Sequence, residues 1–127
     1  MFRSLQRLLL GGLLAIAVAL PLNALAGDTL QRVVDFKVLK VGMSGNQPPM
    51  TMTNREGGMM GFDVDLAKAR ADASKVKLEI MPMPLGELMG ALEKDKIDLV
   101  LSGLAMTPGR TEMVSFVGPY MMSGKSF

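Results

Sequence analysis

Lys96-Ile97-Asp98-Leu99-Val100-Leu101-Ser102-Gly103-Leu104-Ala105-Met106-Thr107-Pro108-Gly109-Arg110-Thr111-Glu112 decides how the rest of the chain is read. Ile97 to Leu101 is a short, mainly apolar run of the kind that forms a buried strand. Ser102-Gly103 breaks it. Thr107-Pro108 then predicts a helix start, with a hydroxyl available to cap and Pro at the first helical position. In an open α/β sheet, ligands bind beyond the carboxyl ends of the strands. The free N–H groups at the helix start also attract anions. Arg110 falls in that first turn, where the helix dipole disfavours a cation. A cation kept at a cost points to a use, and a bidentate grip on a carboxylate suits a guanidinium. A solvated Arg on a short surface helix is the alternative.

Upstream, Leu85 to Glu93 predicts a helix with Leu85, Leu88, Met89 and Leu92 on one side. Lys77 to Met81 predicts a second buried strand, ended by Pro82-Met83-Pro84. The longest helix opens at Gly61-Phe62-Asp63-Val64-Asp65 and runs to about Ser74. Phe62, Leu66, Ala69 and Ala73 give it one apolar face. Asp63 and Asp65 lie near its N-terminus, where helix-end electrostatics explains them more cheaply than an acid–base pair does.

Met50 to Thr53 alternates and is expected to pair with Met59-Met60 as a hairpin across Asn54 to Gly58. Met43 to Pro49 reads as a loop at the carboxyl end of a first strand, Phe36 to Gly42. Gly27 to Asp35 reads as a polar lead-in. Downstream, Val114 to Val117 predicts a fourth strand. Strand–helix–strand–helix–strand order predicts an α/β lobe, a mostly parallel sheet flanked by helices with right-handed crossovers.

The chain has 127 residues, enough for one domain. Residues 1–26 have the pattern of a secretory signal: Arg3 and Arg7, an apolar run from Leu8 to Leu20, then Pro21 and Ala24-Leu25-Ala26. Residues 27–127 hold 12 basic and 12 acidic residues, so no basic surface for nucleic acid is expected. The sequence has no Cys, which excludes disulfides and thiol chemistry. It has no His, so the usual general base and the commonest metal ligand are missing. The expectation is an exported, soluble protein with no metal and no cofactor. Thirteen Met is a high count. Thioethers can hold Cu(I). However, Met50, Met52, Met81, Met89 and Met113 fall on apolar faces of predicted elements, which favours core or pocket lining.

A longer series of residues resembles a known family. It comprises Val41-Gly42, Pro48-Pro49, Gly61-Phe62-Asp63-Val64-Asp65-Leu66-Ala67, Lys96 to Val100, Ser102-Gly103, Thr107-Pro108, Arg110, Phe116 and Pro119-Tyr120. The order and spacing are similar to the family 3 bacterial extracellular solute-binding proteins, the periplasmic receptors of polar amino-acid ABC importers. The resemblance covers about Lys37 to Gly124. It implies a ligand cleft between two α/β lobes, of which residues 27–127 would be the first. It implies that Arg110 clamps a ligand α-carboxylate and that backbone groups at Gly103 and Ala105 contact the ligand. The segment Ser44 to Gln47 would do so too. Ser102 and Thr107 belong to the same motif, and Gln47 and Leu85 stand where the family often stacks aromatic rings. Met50, Met52, Met121 and Met122 also stand where aromatics are frequent, and Ala105 replaces a frequent hydroxyl.

Family members are about twice as long, so the second lobe is expected to be missing and the chain to be a fragment or truncated product. A single lobe cannot fully desolvate a ligand. The expected function is delivery of an amino acid by a monomeric periplasmic protein to an ABC permease in the inner membrane, without catalysis. The alternatives are an enzyme on the same scaffold, resembling cyclohexadienyl dehydratases, a membrane-receptor sensor domain, or a non-functional fragment.

Overall fold

The computed structural model describes residues 27–122, so the leader read into residues 1–26 lies outside the described residues. The segment expected to be a polar lead-in is instead a helix, α1 (Asp28–Phe36). Leu30, Val33 and Val34 stand at helical spacing, and Val33 is buried. Asp28 lies in the first turn, the favourable end for an acid. Lys37 closes the helix in a left-handed conformation, its N–H bonded to the Val33 carbonyl.

The main sheet is parallel and has the order β5-β1-β6, from β1 (Val38–Met43), β5 (Lys77–Pro82) and β6 (Leu99–Val100). Val38 to Met43 pair in step with Lys77 to Pro82, and Val41 and Gly42 pair with Leu99 and Val100. The expected strand Ile97 to Leu101 is thus shorter as a ladder. Its ends still bond to β1, Asp98 N–H to the Lys40 carbonyl and Leu101 N–H to the Gly42 carbonyl.

Alternation along β1 sends residues to two faces. Val41 and Met43 join Val64 and Ala67 of α2 (Phe62–Ser74) and Leu101 in one buried cluster. On the other face, Gly42 lies against Ile97 and Leu88, which cluster with Ala91 of α3 (Leu85–Glu93). The sheet is therefore covered on both sides, as the strand–helix order predicts.

The long helix starts where expected but is rotated. Its buried stripe is Val64, Ala67 and Ala71, together with Asp63. Phe62, Ala69 and Ala73 are exposed, and Leu66 is half-buried. The rotation is set at the helix start: Phe62 N–H bonds to the Pro49 carbonyl and Asp63 N–H to the Met50 carbonyl. These two bonds satisfy helix-start donors that otherwise lack partners. They also turn the side chain of Asp63 inward.

The hairpin forms as expected. β3 (Thr51–Thr53) pairs antiparallel with β4 (Met59–Met60), placing Met52 opposite Met60 and Thr53 opposite Met59. Asn54 Oδ1 accepts the N–H groups of Glu56 and Gly58 within the turn. A short strand that composition did not reveal, β2 (Asn46–Gln47), joins the other edge of β3. The Pro48-Pro49 bond in the following connection is cis.

Two expectations downstream of β6 fail. Pro108 does open a helix, α4 (Pro108–Thr111), but it is a single turn and the Thr107 hydroxyl makes no capping bond. Val114 to Val117 is not a strand. Its alternation is real, with Val114 and Phe116 half-buried and Ser115 and Val117 exposed, but no neighbouring strand pairs with it.

Candidate functional site

The tips of β1 and β6 lie side by side, at the place where the chain turns to opposite sides of the sheet. That is the crevice where open α/β sheets hold ligands. Ser102 follows β6 and is fully buried. Its hydroxyl accepts the Ser44 N–H at 2.9 Å and donates to the Ser44 hydroxyl at 2.9 Å. Ser44 Oγ lies 3.5 Å from the hydroxyl of Thr51, also fully buried. Three hydroxyls thus stitch the loop after β1 to the tip of β6 and the start of β3.

Gly103 comes next, with φ at +58°. A Cβ there would lie 3.0 Å from Gln47 Oε1 and 3.3 Å from Met50 Cγ. The turn therefore needs glycine for conformation and for space. Its N–H donates to Asp63 Oδ2 at 2.7 Å, and Asp63 Oδ1 accepts the Tyr120 hydroxyl at 2.8 Å. With its N–H committed, Gly103 has its carbonyl left to offer a ligand. Arg110, half-buried, donates from Nη1 to the Ala105 carbonyl at 3.0 Å. Among the described residues no carboxylate lies within ion-pair distance of it. A guanidinium has five donors, so this bond leaves most of the fork unused.

The sequence-predicted residues fall into three groups. Ser44, Gln47, Ser102 and Gly103 meet at the strand tips. Thr107, Ala105 and Arg110 form the following turn, with the Thr107 carbonyl accepting Arg110 N–H at 3.1 Å. Leu85 stands apart from these bonds and packs half-buried against the Leu88, Ala91 and Ile97 cluster.

Asp63 is what sequence reading missed. Helix-end electrostatics suits Asp65, which is exposed, but not Asp63, which is fully buried with both oxygens bonded. Its signal was an acid flanked by Phe62 and Val64, two residues after a glycine. Burial chiefly, then the Asp63 hydrogen bond and charge, push the Tyr120 hydroxyl up to about 12, against a smaller downward pull from Gly103 N–H. The Phe62 and Tyr120 rings stack with centroids 6.2 Å apart.

A second acid is used elsewhere. Asp98 is almost wholly buried, accepting the Lys40 N–H at 2.9 Å and Arg32 Nη2 at 2.6 Å, which fastens α1 to the sheet. A shallow concavity of about 450 Å³ is lined by Met106 and residues 111–116 and shares no residue with the strand-tip group. Glu112 is its one ionisable lining residue. It is wide open, and polar groups converge at the strand tips instead. Of the methionines expected on apolar faces, Met50 is buried and Met81 packs on the α3 cluster, but Met113 is exposed.

The fold is a single α/β lobe with hydrogen-bonded polar groups gathered at its strand tips. The chain belongs to the bacterial extracellular solute-binding proteins, family 3, whose sequence pattern matches residues 39–127. It is 33% identical over 97 residues to a cyclohexadienyl dehydratase of Pseudomonas aeruginosa, covering 76% of this chain and 36% of that protein. It is 31% identical to an L-arginine-binding protein of the same organism, covering 91% of this chain and 41% of that protein. The chain therefore spans well under half the length of these curated relatives. Among solved structures, the arginine-bound form of domain 1 of the T. maritima arginine-binding protein superposes with a TM-score of 0.68 at 37% identity. That match covers 70% of this chain and 71% of the domain. No helix among the described residues is long and apolar enough to cross a membrane.

Proposed function

We propose that this chain forms the amino-acid-binding lobe of a periplasmic receptor that delivers its ligand to an ABC permease. Residues 1–26 serve as its export signal. Arg110 grips the ligand α-carboxylate, and the Gly103 carbonyl takes the ammonium group. The observation that supports this reading is the state of Arg110: in the turn that follows the strand-tip group, unpaired with any described carboxylate, and held by one bond to Ala105. A basic amino acid is the favoured ligand, because relatives and the superposed domain are named for arginine.

Binding without turnover is the better reading because the buried acid at the site, Asp63, has both oxygens committed to internal bonds. The dehydratase relative makes the enzyme reading worth a direct test. Calorimetric titration with a panel of amino acids should give binding led by L-arginine, L-lysine or L-histidine, abolished in Arg110→Ala. Undiminished binding in that variant removes the carboxylate clamp. Prephenate turnover above background would replace the receptor reading with catalysis.

A further inference from the structure

Asp63 joins three separate pieces of chain. Its own N–H is fixed to the Met50 carbonyl, Oδ2 holds the Gly103 N–H, and Oδ1 holds the Tyr120 hydroxyl. The carboxylate is fully buried on the first turn of α2, a rigid place from which to aim two bonds. Residues 115–122 have no regular structure. Among the described residues, the hydrogen bonds tying that segment to the rest of the chain converge on Tyr120. The ring of Phe62, next to Asp63 in sequence, stacks on Tyr120, whose hydroxyl bonds to the same acid.

We infer that Asp63 is a positioning residue for the ligand site, and that through its second oxygen it couples the docking of residues 115–122 to the shape of the Gly103 turn. The ligand half of this rests on the reading given above. The coupling itself does not. A carboxylate that accepts two donors holds each more firmly when the other is in place, because both fix its rotamer and exclude water. A ligand that orders the Gly103 turn therefore tightens the Tyr120 contact, and the reverse must hold by linkage. The tail after α4 becomes a responsive element of the site.

The test compares the wild-type chain with Tyr120→Phe, which keeps the ring on Phe62 and removes the one hydroxyl. Amide hydrogen exchange at Gly103, followed by NMR, should quicken roughly tenfold in the variant, the scale of a lost bond to a charged group. The Leu88 amide in α3 serves as control and should keep its rate. Equal Gly103 exchange in the two proteins overturns the coupling. Asp63→Asn, which replaces the charged acceptor of the Gly103 N–H by a neutral one, should quicken that exchange at least as much as Tyr120→Phe does. Titration with L-arginine then reads the ligand half: Tyr120→Phe should weaken binding about threefold to tenfold and the wild-type tyrosine emission should change on saturation. Faster exchange with unchanged affinity overturns the positioning role. No amino-acid binding by the wild-type chain overturns the receptor reading, and Gly103 exchange then decides the coupling alone.

Discussion

At Gly61 the backbone takes φ at +127°, and a Cβ built there would run into the Met50 carbonyl oxygen and stand 2.9 Å from that of Pro49. Those are the two carbonyls that receive the first N–H groups of α2. Gly61→Ala must strain the dihedral and break the seat of the helix together, so we expect a loss of roughly 3 kcal/mol or more. Urea unfolding checks it, and a loss below about 1 kcal/mol would mean that the turn relaxes freely.

Tyr120 offers a second test at the residue scale. It is the single Tyr of a chain without Trp, so its ionisation can be followed by absorbance. The folded protein holds its proton to about pH 12, whereas an unfolded Tyr releases it near pH 10. Its contribution to stability is therefore complete below pH 10 and declines as pH rises toward 12. Asp63→Asn should lower the titration midpoint only part of the way, because burial is the larger cause. A midpoint unmoved by that change would show that Asp63 does not govern the hydroxyl.

Whole elements were legible where pattern and packing agree. α3 runs from Leu85 to Glu93 as its apolar spacing predicts, and the Met52–Met60 hairpin forms as alternation predicts. The face of α2 was not legible, because Ala67 and Ala71 compete with Ala69 and Ala73 at the same period. The carbonyls of residues 49 and 50 choose between the two, and they are set by a turn with no helical pattern of its own. α1 escaped because it buries only Val33 and is held by an ion pair 66 residues distant, Arg32 to Asp98. At the site, the family resemblance pointed to Ser44, Gln47, Ser102 and Gly103, whereas no local pattern could link Asp63 to Gly103 across 40 residues. One element also carries a correctable weakness. Gly90 lies inside α3 with open space where a Cβ would go. Gly90→Ala should stabilise the protein by about 0.5 to 1 kcal/mol, through helix propensity and a less free unfolded chain. Thermal unfolding reads this directly, and a lowered midpoint would place an unseen contact at that site.

For the whole molecule, the deciding quantity is how much water the site can exclude. On the proposed function, a ligand at the strand tips would be covered by this one lobe from one side. Arg110 is half-buried, and Met106, Met113, Met121 and Met122 around the following chain are exposed. An ion pair in such a setting is screened by solvent and contributes little more than about 1 kcal/mol. The arginine-bound domain 1 of the T. maritima relative shows that one lobe of that protein can be seen with its ligand. We expect the same of this chain, at an affinity between roughly 1 μM and 1 mM. Because Arg110, the proposed clamp, is open to water, affinity should fall as salt rises, the Debye length shrinking from about 10 Å at 0.1 M to about 3 Å at 1 M. Titrating L-arginine across that range separates two designs. A steep loss of affinity marks a guanidinium–carboxylate contact left in solvent, whereas nanomolar binding indifferent to salt would require a ligand enclosed on all sides, which one lobe covering a single face does not provide.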